Sequence, residues 1–138
     1  MTTSHQELQC LSTLTRFYRC LDGFRYQDMM ALMAPGAVWH RQGEVLTSPD
    51  AMIAALSKRS ATRSIVHLLT NLFVESGDGT QATVRGYQTA YAFDDGTQRT
   101  GPAPLEGASS IASIEATLTN VDGQWLIRQL GSTKLFAR

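Results

Sequence analysis

The sequence of 138 residues lacks an excess of charge of either sign, because twelve Lys and Arg residues balance twelve Asp and Glu residues. Proteins that bind nucleic acid or an anionic membrane surface carry a basic excess, so the composition argues against both kinds of partner. The chain also lacks an apolar run near the roughly 20 residues that span a bilayer. Its first residues, MTTSHQELQ, lack the basic and apolar regions of a signal peptide. These absences favour a cytoplasmic protein.

Cysteine and histidine are too scarce for a disulfide framework or a zinc site. Cys10 and Cys20 fall in one predicted helix, about 15 Å apart along its axis, which is too far for a disulfide. We expect both to be free, buried thiols. The three histidines are spread along the chain, without ligand spacing. Motifs of nucleotide-binding loops, zinc metalloproteases and serine hydrolases are also absent, so the sequence predicts no metal and no other cofactor.

The first part of the chain has helical periodicity, and its hydrophobic fraction of 43% is enough to bury the core of one domain, spanning residues 1–138. Apolar residues recur at steps of three and four over residues 5–21, which predicts a first helix. The stretch SHQE provides a capping box, from Ser4 to Glu7, at its start. A second helix is expected over residues 26–33, and a third runs from the N-cap Ser48 to about residue 58.

The second half of the chain has the alternation of β-strands. A short strand is predicted at residues 37–42, and four long strands are predicted at residues 63–75, 80–93, 108–121 and 124–136. The turn sequence SGDGT joins the first two long strands, and the turn sequence VDGQ joins the last two. The stretch between the two pairs holds three Gly and two Pro, which predicts a long loop. Three helices followed by an antiparallel meander predict an α+β fold with the helices on one face of the sheet.

This order of elements resembles the nuclear transport factor two-like superfamily, also called cystatin-like α+β cone folds, and within it the SnoaL-like and scytalone dehydratase-like branch. The resemblance covers nearly the whole chain and is carried by FYRCLDGFRYQDMMALMAPGAVWHRQGE, SPDAMIAAL, RSIVHLLTN and VDGQWLIRQ. It implies three N-terminal helices on the concave face of a strongly curved, mainly antiparallel sheet. The resulting cone would have an internal pocket, where the enzymes of the superfamily work. Because this fold serves many functions, the site must be argued from its residues.

One histidine lies within the apolar run SIVHLLTNLFVE, at residues 64–75. Strand alternation puts His67, Asn71 and Phe73 on one face, which we assign to the cavity. A buried imidazole without a partner costs about 1–3 kcal/mol, and the resemblance to scytalone dehydratase implies Asp22, at the end of the first helix, as its partner. Asp22 would set the tautomer of His67 and leave the second ring nitrogen for general acid–base catalysis. A purely structural His–Asp pair is the alternative.

Trp39 and His40 lie on the short predicted strand, where the superfamily often places a polar pocket residue. Alternation allows only one of the two to face inward. We favour Trp39 as a wall of the pocket and His40 as a rim residue, for which a catalytic part stays open. The strand carries no carboxylate, which argues against the chemistry of ketosteroid isomerase-like enzymes.

Three tyrosines are further candidates for binding a ligand. Tyr18 lies one helical turn before Asp22 and could reach the cavity. Tyr87 and Tyr91 share one face of their strand and would supply phenolic donors to a carbonyl or enolate oxygen, or else pack in the core. The arginines are scattered, which predicts a solvated surface or protection of edge strands. They include Arg41, Arg63, Arg85, Arg99 and Arg128.

Taken together, the residues and the resemblance predict a cofactor-free lyase or isomerase, of the dehydratase or cyclase kind, that acts on an apolar cyclic or aromatic carbonyl compound. His67 would move a proton α to the carbonyl, Asp22 would orient His67, and a tyrosine or Asn71 would hold the oxygen. The alternative is a non-catalytic protein, either a ligand-binding module or a structural subunit like the small subunit of ring-hydroxylating dioxygenases. Both faces of the strand at residues 63–75 are apolar and helices can cover only one. Related folds commonly dimerise through the convex sheet face, so the resemblance implies a homodimer through that face.

Overall fold

The computed structural model describes residues 1–138 and contains three helices and one six-stranded sheet. The helices are α1 (Ser4–Asp22), α2 (Tyr26–Met30) and α3 (Pro49–Leu56). The strands are β1 (Met33–Arg41), β2 (Glu44–Leu46), β3 (Ser64–Gly77), β4 (Gln81–Phe93), β5 (Ser110–Val121) and β6 (Gln124–Ala137). None of the helices combines the length and the hydropathy that crossing a membrane requires.

Polar side chains cap α1 and α3 at their N-termini. Thr3 accepts a hydrogen bond from the backbone N–H of Gln6 at 3.1 Å, and the Gln6 side chain accepts from the N–H of Thr3 at 2.9 Å. The capping box therefore begins one residue earlier than predicted, since Thr and Gln satisfy the same two backbone donors. Ser48 caps α3 as predicted, by accepting from the N–H of Ala51 at 3.1 Å.

Helix α2 is three residues shorter than the sequence predicted, because the chain joins the sheet early. Met33 pairs with Ile127 of β6, and the N–H of Ile127 donates to the carbonyl of Leu32 at 2.9 Å. This pairing uses backbone groups that a longer helix would need. It also places Met33 and Ala34 in buried positions against the sheet. Burial against the sheet outweighs the weak preference of a short helix to continue.

The sheet has the strand order β2-β1-β6-β5-β4-β3. All neighbouring strands are antiparallel except β1 and β6, which are parallel. The sheet is curved and unclosed, and α1 packs against β3, β4 and β6. The predicted α+β fold, with helices on the concave face of a mainly antiparallel sheet, is confirmed. The short strand β2, which follows the turn after β1, was not predicted.

A hydrophobic core fixes the position of α1 on the sheet. Leu14 and Phe17 of α1 and Ile127 of β6 are fully buried, and the ring of Phe17 meets that of Trp39 edge-on at 5.3 Å. Burial of each such side chain contributes about 1.5–3 kcal/mol. Both cysteines are free and buried in this core, as predicted. The packing determines where the C-terminal end of α1, and with it Asp22, lies against the sheet.

A bulge in β3 reverses the alternation of its side chains. Before the bulge the odd-numbered residues, His67 among them, face the helices. Asn71 takes a left-handed conformation, with φ of 54°, and the register with β4 shifts there. Beyond it Leu72 packs against the core, whereas Phe73 is 52% exposed. Gly86 of β4 makes room for the bulge, since a Cβ at that position would lie 2.5 Å from Cδ2 of Leu72.

Candidate functional site

A cavity of about 230 Å³ lies between the C-terminal end of α1 and the concave face of the sheet. We call it the inner cavity. Helix α1, the segment after α3 and every strand except β2 contribute to its lining. Only five of the sixteen lining residues are hydrophobic, so the interior is less apolar than the sequence of β3 suggested. The lining consists of Tyr18, Leu21, Trp39, His40, Arg41, Gln42, Arg59, Arg63, Ile65, His67, Gln88, Ala90, Ser109, Ser110, Ser132 and Lys134.

Asp22 holds His67 at two points. Its Oδ1 lies 2.5 Å from Nδ1 of the imidazole ring, and its Oδ2 accepts a hydrogen bond from the backbone N–H of His67 at 2.8 Å. The two side chains are only 13% and 11% exposed, respectively, so little water competes for these contacts. The contact that the resemblance implied is therefore present, and the carboxylate restrains both the ring and its backbone.

The ends of two elements bring this pair together. Asp22 is the last residue of α1, and β3 is an edge strand of the sheet, so backbone groups on its outer side have no neighbouring strand. The carboxylate takes the place of that strand for the N–H of His67. The N–H of Gly23 donates the last hydrogen bond of the helix, to the carbonyl of Arg19 at 3.0 Å. The helix ends there because Phe24 then takes a positive φ of 58°.

The contact with Asp22 determines which ring nitrogen of His67 is available to a ligand. A carboxylate only accepts hydrogen bonds, so in the neutral ring Nδ1 carries the proton that it donates to Asp22. Nε2 has no hydrogen-bond partner within the chain, and His67 lines the inner cavity. This nitrogen therefore has a free lone pair that can accept a proton from a bound molecule.

Tyr18 stands beside His67 in the inner cavity, with the two ring centroids 5.4 Å apart. Burial and, less strongly, the negative charge of Asp22 raise the pKa of the Tyr18 phenol. The hydroxyl therefore stays protonated over the ordinary pH range. It makes no hydrogen bond within the chain, so it can donate one to an oxygen atom of a ligand.

Gln88 is a polar lining residue that the sequence did not single out as part of the site. It lies on β4 opposite Leu69 of β3, and its Oε1 is buried without a hydrogen-bond partner. An unsatisfied buried acceptor costs about 1–3 kcal/mol, which a donor on a ligand would relieve. Strand alternation contains the signal, because Gln88 lies on the same face of β4 as the buried Val84 and Ala90.

Three predicted ligand-binding residues lie outside the inner cavity. Tyr87 is 43% exposed, and Tyr91 lies on the same face of β4, turned away from the helices. The inward positions of β4 belong to Gln88 and its alternate neighbours, so the two tyrosines cannot reach His67. Asn71 is exposed because it occupies the bulge of β3, so the expectation that it shares the face of His67 was wrong.

The two candidates on β1 point in different directions. Trp39 is buried and forms part of the inner wall. His40 borders the inner cavity, but its exposed side chain lies on the convex side of the sheet, in a cleft shared with Arg85, Glu115 and Gln129. Nε2 of His40 lies 3.1 Å from Nε2 of Gln129. The chain contains no group of three or more His, Cys, Asp or Glu side chains that could hold a metal ion.

Arginines surround the opening of the inner cavity, where the sequence predicted only dispersed surface charges. Arg41, Gln42, Arg59 and Arg63 line both the inner cavity and an adjoining open cleft of about 500 Å³. We call these four residues the mouth and the second space the outer cleft. Arg41 and Arg63 are half-buried and converge at this opening, so they are not scattered as the sequence indicated, because folding brings β1 and the segment after α3 together.

Comparison with known proteins identifies relatives of the whole fold. The model of a family described as "SnoaL-like domain" matches residues 2–131, and no curated protein matches the sequence. Aln2 from a Streptomyces species is 20% identical with a TM-score of 0.77, covering 97% of this chain and 94% of Aln2. An NTF2-like protein with a cystatin-like fold from Novosphingobium aromaticivorans is 15% identical with a TM-score of 0.75, covering 97% and 83%.

A third similar structure, of a protein proposed to be a scytalone dehydratase from Novosphingobium aromaticivorans, is 18% identical with a TM-score of 0.74. The alignment covers 94% of this chain and 84% of that protein. At identities this low the structural likeness establishes a shared fold, and the chemistry has to be argued from the cavity itself.

Proposed function

Because the chain belongs to the SnoaL-like domain family, within the nuclear transport factor two-like superfamily, we propose that it is a cofactor-free lyase or isomerase with His67 as its acid–base residue. The substrate class is a cyclic or aromatic carbonyl compound, and the reaction is a dehydration or an isomerisation. The observation that carries this proposal is the double contact of Asp22 with a histidine that lines a cavity.

The first step of the proposed reaction is removal of a proton next to the carbonyl group. Nε2 of His67 accepts this proton, and the electron pair of the broken C–H bond moves onto the carbonyl oxygen to form an enolate. The imidazolium that forms is stabilised by the carboxylate of Asp22. Tyr18 supports the step by donating a hydrogen bond to the negatively charged oxygen.

The second step returns the proton and decides the type of product. In a dehydration the enolate electrons form a carbon–carbon double bond and expel a hydroxyl group from the neighbouring carbon. The imidazolium of His67 protonates the departing oxygen, which leaves as water, and the ring becomes neutral again. In an isomerisation the same proton returns to a different carbon. Neither route consumes an oxidant, a reductant or another reactant.

Two observations support this assignment over a purely structural role. The inner cavity leaves about 230 Å³ unfilled beside His67, whereas a structural subunit would fill that space with core side chains. One of the similar structures is of a protein proposed to be a dehydratase. We assign His40 no part in the reaction, because its ring contacts Gln129 in a cleft on the convex side of the sheet.

The proposal can be tested without knowing the natural substrate. A panel of cyclic and aromatic ketones is incubated with the protein in heavy water, and exchange of the α-hydrogen for deuterium is followed by nuclear magnetic resonance. The wild type should catalyse exchange on a subset of the panel, and His67→Ala should lower that rate by about 10²- to 10⁴-fold. His5→Ala, which removes an exposed histidine outside the cavity, is the matched control and should leave the rate unchanged.

Two results would contradict the proposal. Full exchange by His67→Ala would remove the assigned base. Saturable binding of the ketones by the wild type, without exchange or turnover of any of them, would favour the alternative of a non-catalytic ligand-binding module.

We further propose that two copies of the chain associate through the convex face of the sheet. Val66 and Leu68 of β3 are 49% and 48% exposed on that face, close to the exposed ring of Tyr87 on β4. A contiguous apolar surface of this kind on a small protein favours an interface. The cytoplasmic location stays a prediction from the sequence.

A further inference from the structure

The mouth of the inner cavity concentrates positive charge in a chain that has none in excess. Four cationic side chains line the inner cavity, Arg41, Arg59, Arg63 and Lys134, and no carboxylate lines it. The chain as a whole balances twelve basic with twelve acidic residues. A cavity that collects cations without their counter-ions presents a positive potential to anything that enters it.

The three arginines of the mouth have no ion-pair partner within the chain. The salt bridges of the structure are formed by Arg25, His67, Arg85 and Arg99. Two carboxylates, those of Glu44 and Asp94, do lie along the outer cleft. Asp94 accepts hydrogen bonds from the Thr62 hydroxyl at 2.6 Å and the N–H of Gly96 at 2.9 Å, and neither carboxylate forms an ion pair with an arginine of the mouth.

The arginines are nevertheless held in place. The guanidinium of Arg59 donates to the carbonyl of Leu21 at 2.7 Å and to the Tyr26 hydroxyl at 3.0 Å, and it stacks on the ring of Phe24 at 4.8 Å. Arg41 stacks on Trp39 at 5.6 Å. Burial, followed by the charge of Arg59, lowers the pKa of Arg41. Cations that are fixed, partly buried and mutually repelling are stabilised when an anion binds among them.

We propose that the substrate carries a carboxylate that binds among Arg41, Arg59 and Arg63 while its carbonyl group lies at His67. The inference rests on the proposed function and specifies its substrate class as a cyclic or aromatic keto acid. Guanidinium groups suit this task because their paired N–H donors match the two oxygens of a carboxylate. Residues of the mouth line both spaces, so a carboxylate there leaves the rest of the molecule inside the inner cavity.

The position of the charge gives the mouth a role in orienting the substrate. A carboxylate anchored at one end fixes which carbon of the substrate lies next to Nε2 of His67, and such positioning lowers the barrier of the chemical step. It also accounts for the mixed lining, in which Ile65, Trp39 and Ala90 provide the apolar surface and the cations lie at the opening.

The test uses two probes of the same shape, the anion 2-naphthoate and its neutral amide, 2-naphthamide. Binding to the full chain is measured by isothermal titration calorimetry for the wild type, Arg41→Gln and Arg63→Gln. Arg128→Gln is the matched control, because Arg128 is exposed on β6 and lines neither space. Arg59 is left unchanged since it also supports α1. Circular dichroism melting curves verify that each variant folds.

We expect the wild type to bind 2-naphthoate at least about tenfold more tightly than 2-naphthamide, which corresponds to one charge-assisted contact. Arg41→Gln and Arg63→Gln should each weaken binding of 2-naphthoate by about tenfold and leave 2-naphthamide unaffected. Arg128→Gln should behave as the wild type. Equal binding of the two probes, or unchanged binding in both mouth variants, would overturn the inference.

Two further arms separate this inference from related ones. If 2-naphthyl phosphate binds about tenfold more tightly than 2-naphthoate, the anion is a phosphate and the carboxylate assignment is wrong. If the wild type bound both probes equally but still catalysed hydrogen exchange, only the inference about the carboxylate would be overturned. If the wild type bound the anion more tightly but catalysed no exchange, the proton-transfer proposal would be contradicted and the anion site would stay supported.

Discussion

Asp22 and His67 are 45 residues apart in the sequence, yet the carboxylate of the first contacts both the ring and the backbone N–H of the second. The two bonds restrain different parts of the histidine, because one sets the tautomer and the other holds the strand. Asp22 is therefore best described as a positioning residue, since it acts on a ligand only through His67. This arrangement leads to predictions that distinguish catalysis from structural support.

The substitution Asp22→Asn should abolish the base function of His67 while keeping the fold. The amide oxygen can still accept from the N–H of His67, but the amide nitrogen then faces Nδ1, which must be unprotonated. The neutral ring would carry its proton on Nε2 and could not accept another there. We expect kcat to fall by about 10²- to 10⁴-fold with little change in KM, and ¹⁵N chemical shifts of the imidazole should report the altered tautomer.

Asp28→Asn is the control for this change, because Asp28 pairs with Arg25 on the surface, away from the cavity. It should leave both kcat and the tautomer as in the wild type. A variant of Asp22 that lost activity while the imidazole kept the wild-type tautomer would show that the carboxylate acts by another route.

Tyr18→Phe should lower kcat by about 10²- to 10³-fold, the usual effect of removing a donor to a developing negative charge. The ring would still pack against Phe17, whose centroid is 5.5 Å away, so the fold should persist. The control is Tyr87→Phe, which removes a hydroxyl from the convex face. Equal turnover by Tyr18→Phe and the wild type would exclude the phenol from the reaction.

The same variant predicts a change in alkaline stability. Burial and Asp22 raise the pKa of Tyr18 above its ordinary value of 10.0, so above that pH the unfolded chain releases a phenolic proton that the folded chain retains. The free energy of unfolding must then decrease as pH rises through 10. Urea unfolding at pH 9, 10 and 11 should show a steeper loss for the wild type than for Tyr18→Phe, and parallel curves would contradict the assignment.

Gln88→Leu should separate stability from ligand binding. Leu removes an acceptor that is buried without a partner, so the ligand-free protein should gain about 1 kcal/mol in the free energy of unfolding. Binding of hydroxylated ketones should weaken, because the ligand loses the acceptor that Gln88 offers. Thermal unfolding and calorimetric binding measure the two effects. A lower melting temperature together with unchanged binding would mean that the amide serves the fold and not the ligand.

Leu68→Glu should convert the proposed homodimer into a monomer, because it places a charge in the apolar surface of β3. Leu8→Glu is the matched control, since Leu8 is 66% exposed on α1, on the other side of the sheet. Sedimentation velocity should give a dimer for the wild type and for Leu8→Glu. A monomeric wild type at micromolar concentration would contradict the proposal.

Much of the fold was predictable because its signals are local. Apolar residues recur every three or four positions in α1, and Ser48 caps α3 through a residue three positions away. Turn sequences such as VDGQ likewise involve only adjacent residues between two strands. The boundaries of α1, β4 and β6 lie within one or two residues of those expected. Helix α2 differed because its end depends on pairing with Ile127, nearly a hundred residues further along the chain.

The site was predictable only in part. Alternation assigned His67 to the inner face correctly up to the bulge, and it failed at Asn71 because the bulge is set by pairing with β4 and by the space that Gly86 leaves. Tyr87 and Tyr91 were proposed for their hydroxyl groups and Gln88 was not, although the pattern of buried alanine and valine on β4 indicates which face is inward.

The sequence by itself determined the class of fold, the helical and strand periods and the presence of a lone histidine in an apolar strand, because these depend on near neighbours. Only the tertiary structure decided that Arg41, Arg59 and Arg63 meet at one opening and that Gln88 and His67 line the same cavity. Those relationships depend on how the sheet curves around α1. Curvature and register are collective properties of all six strands, and no single segment of the sequence encodes them.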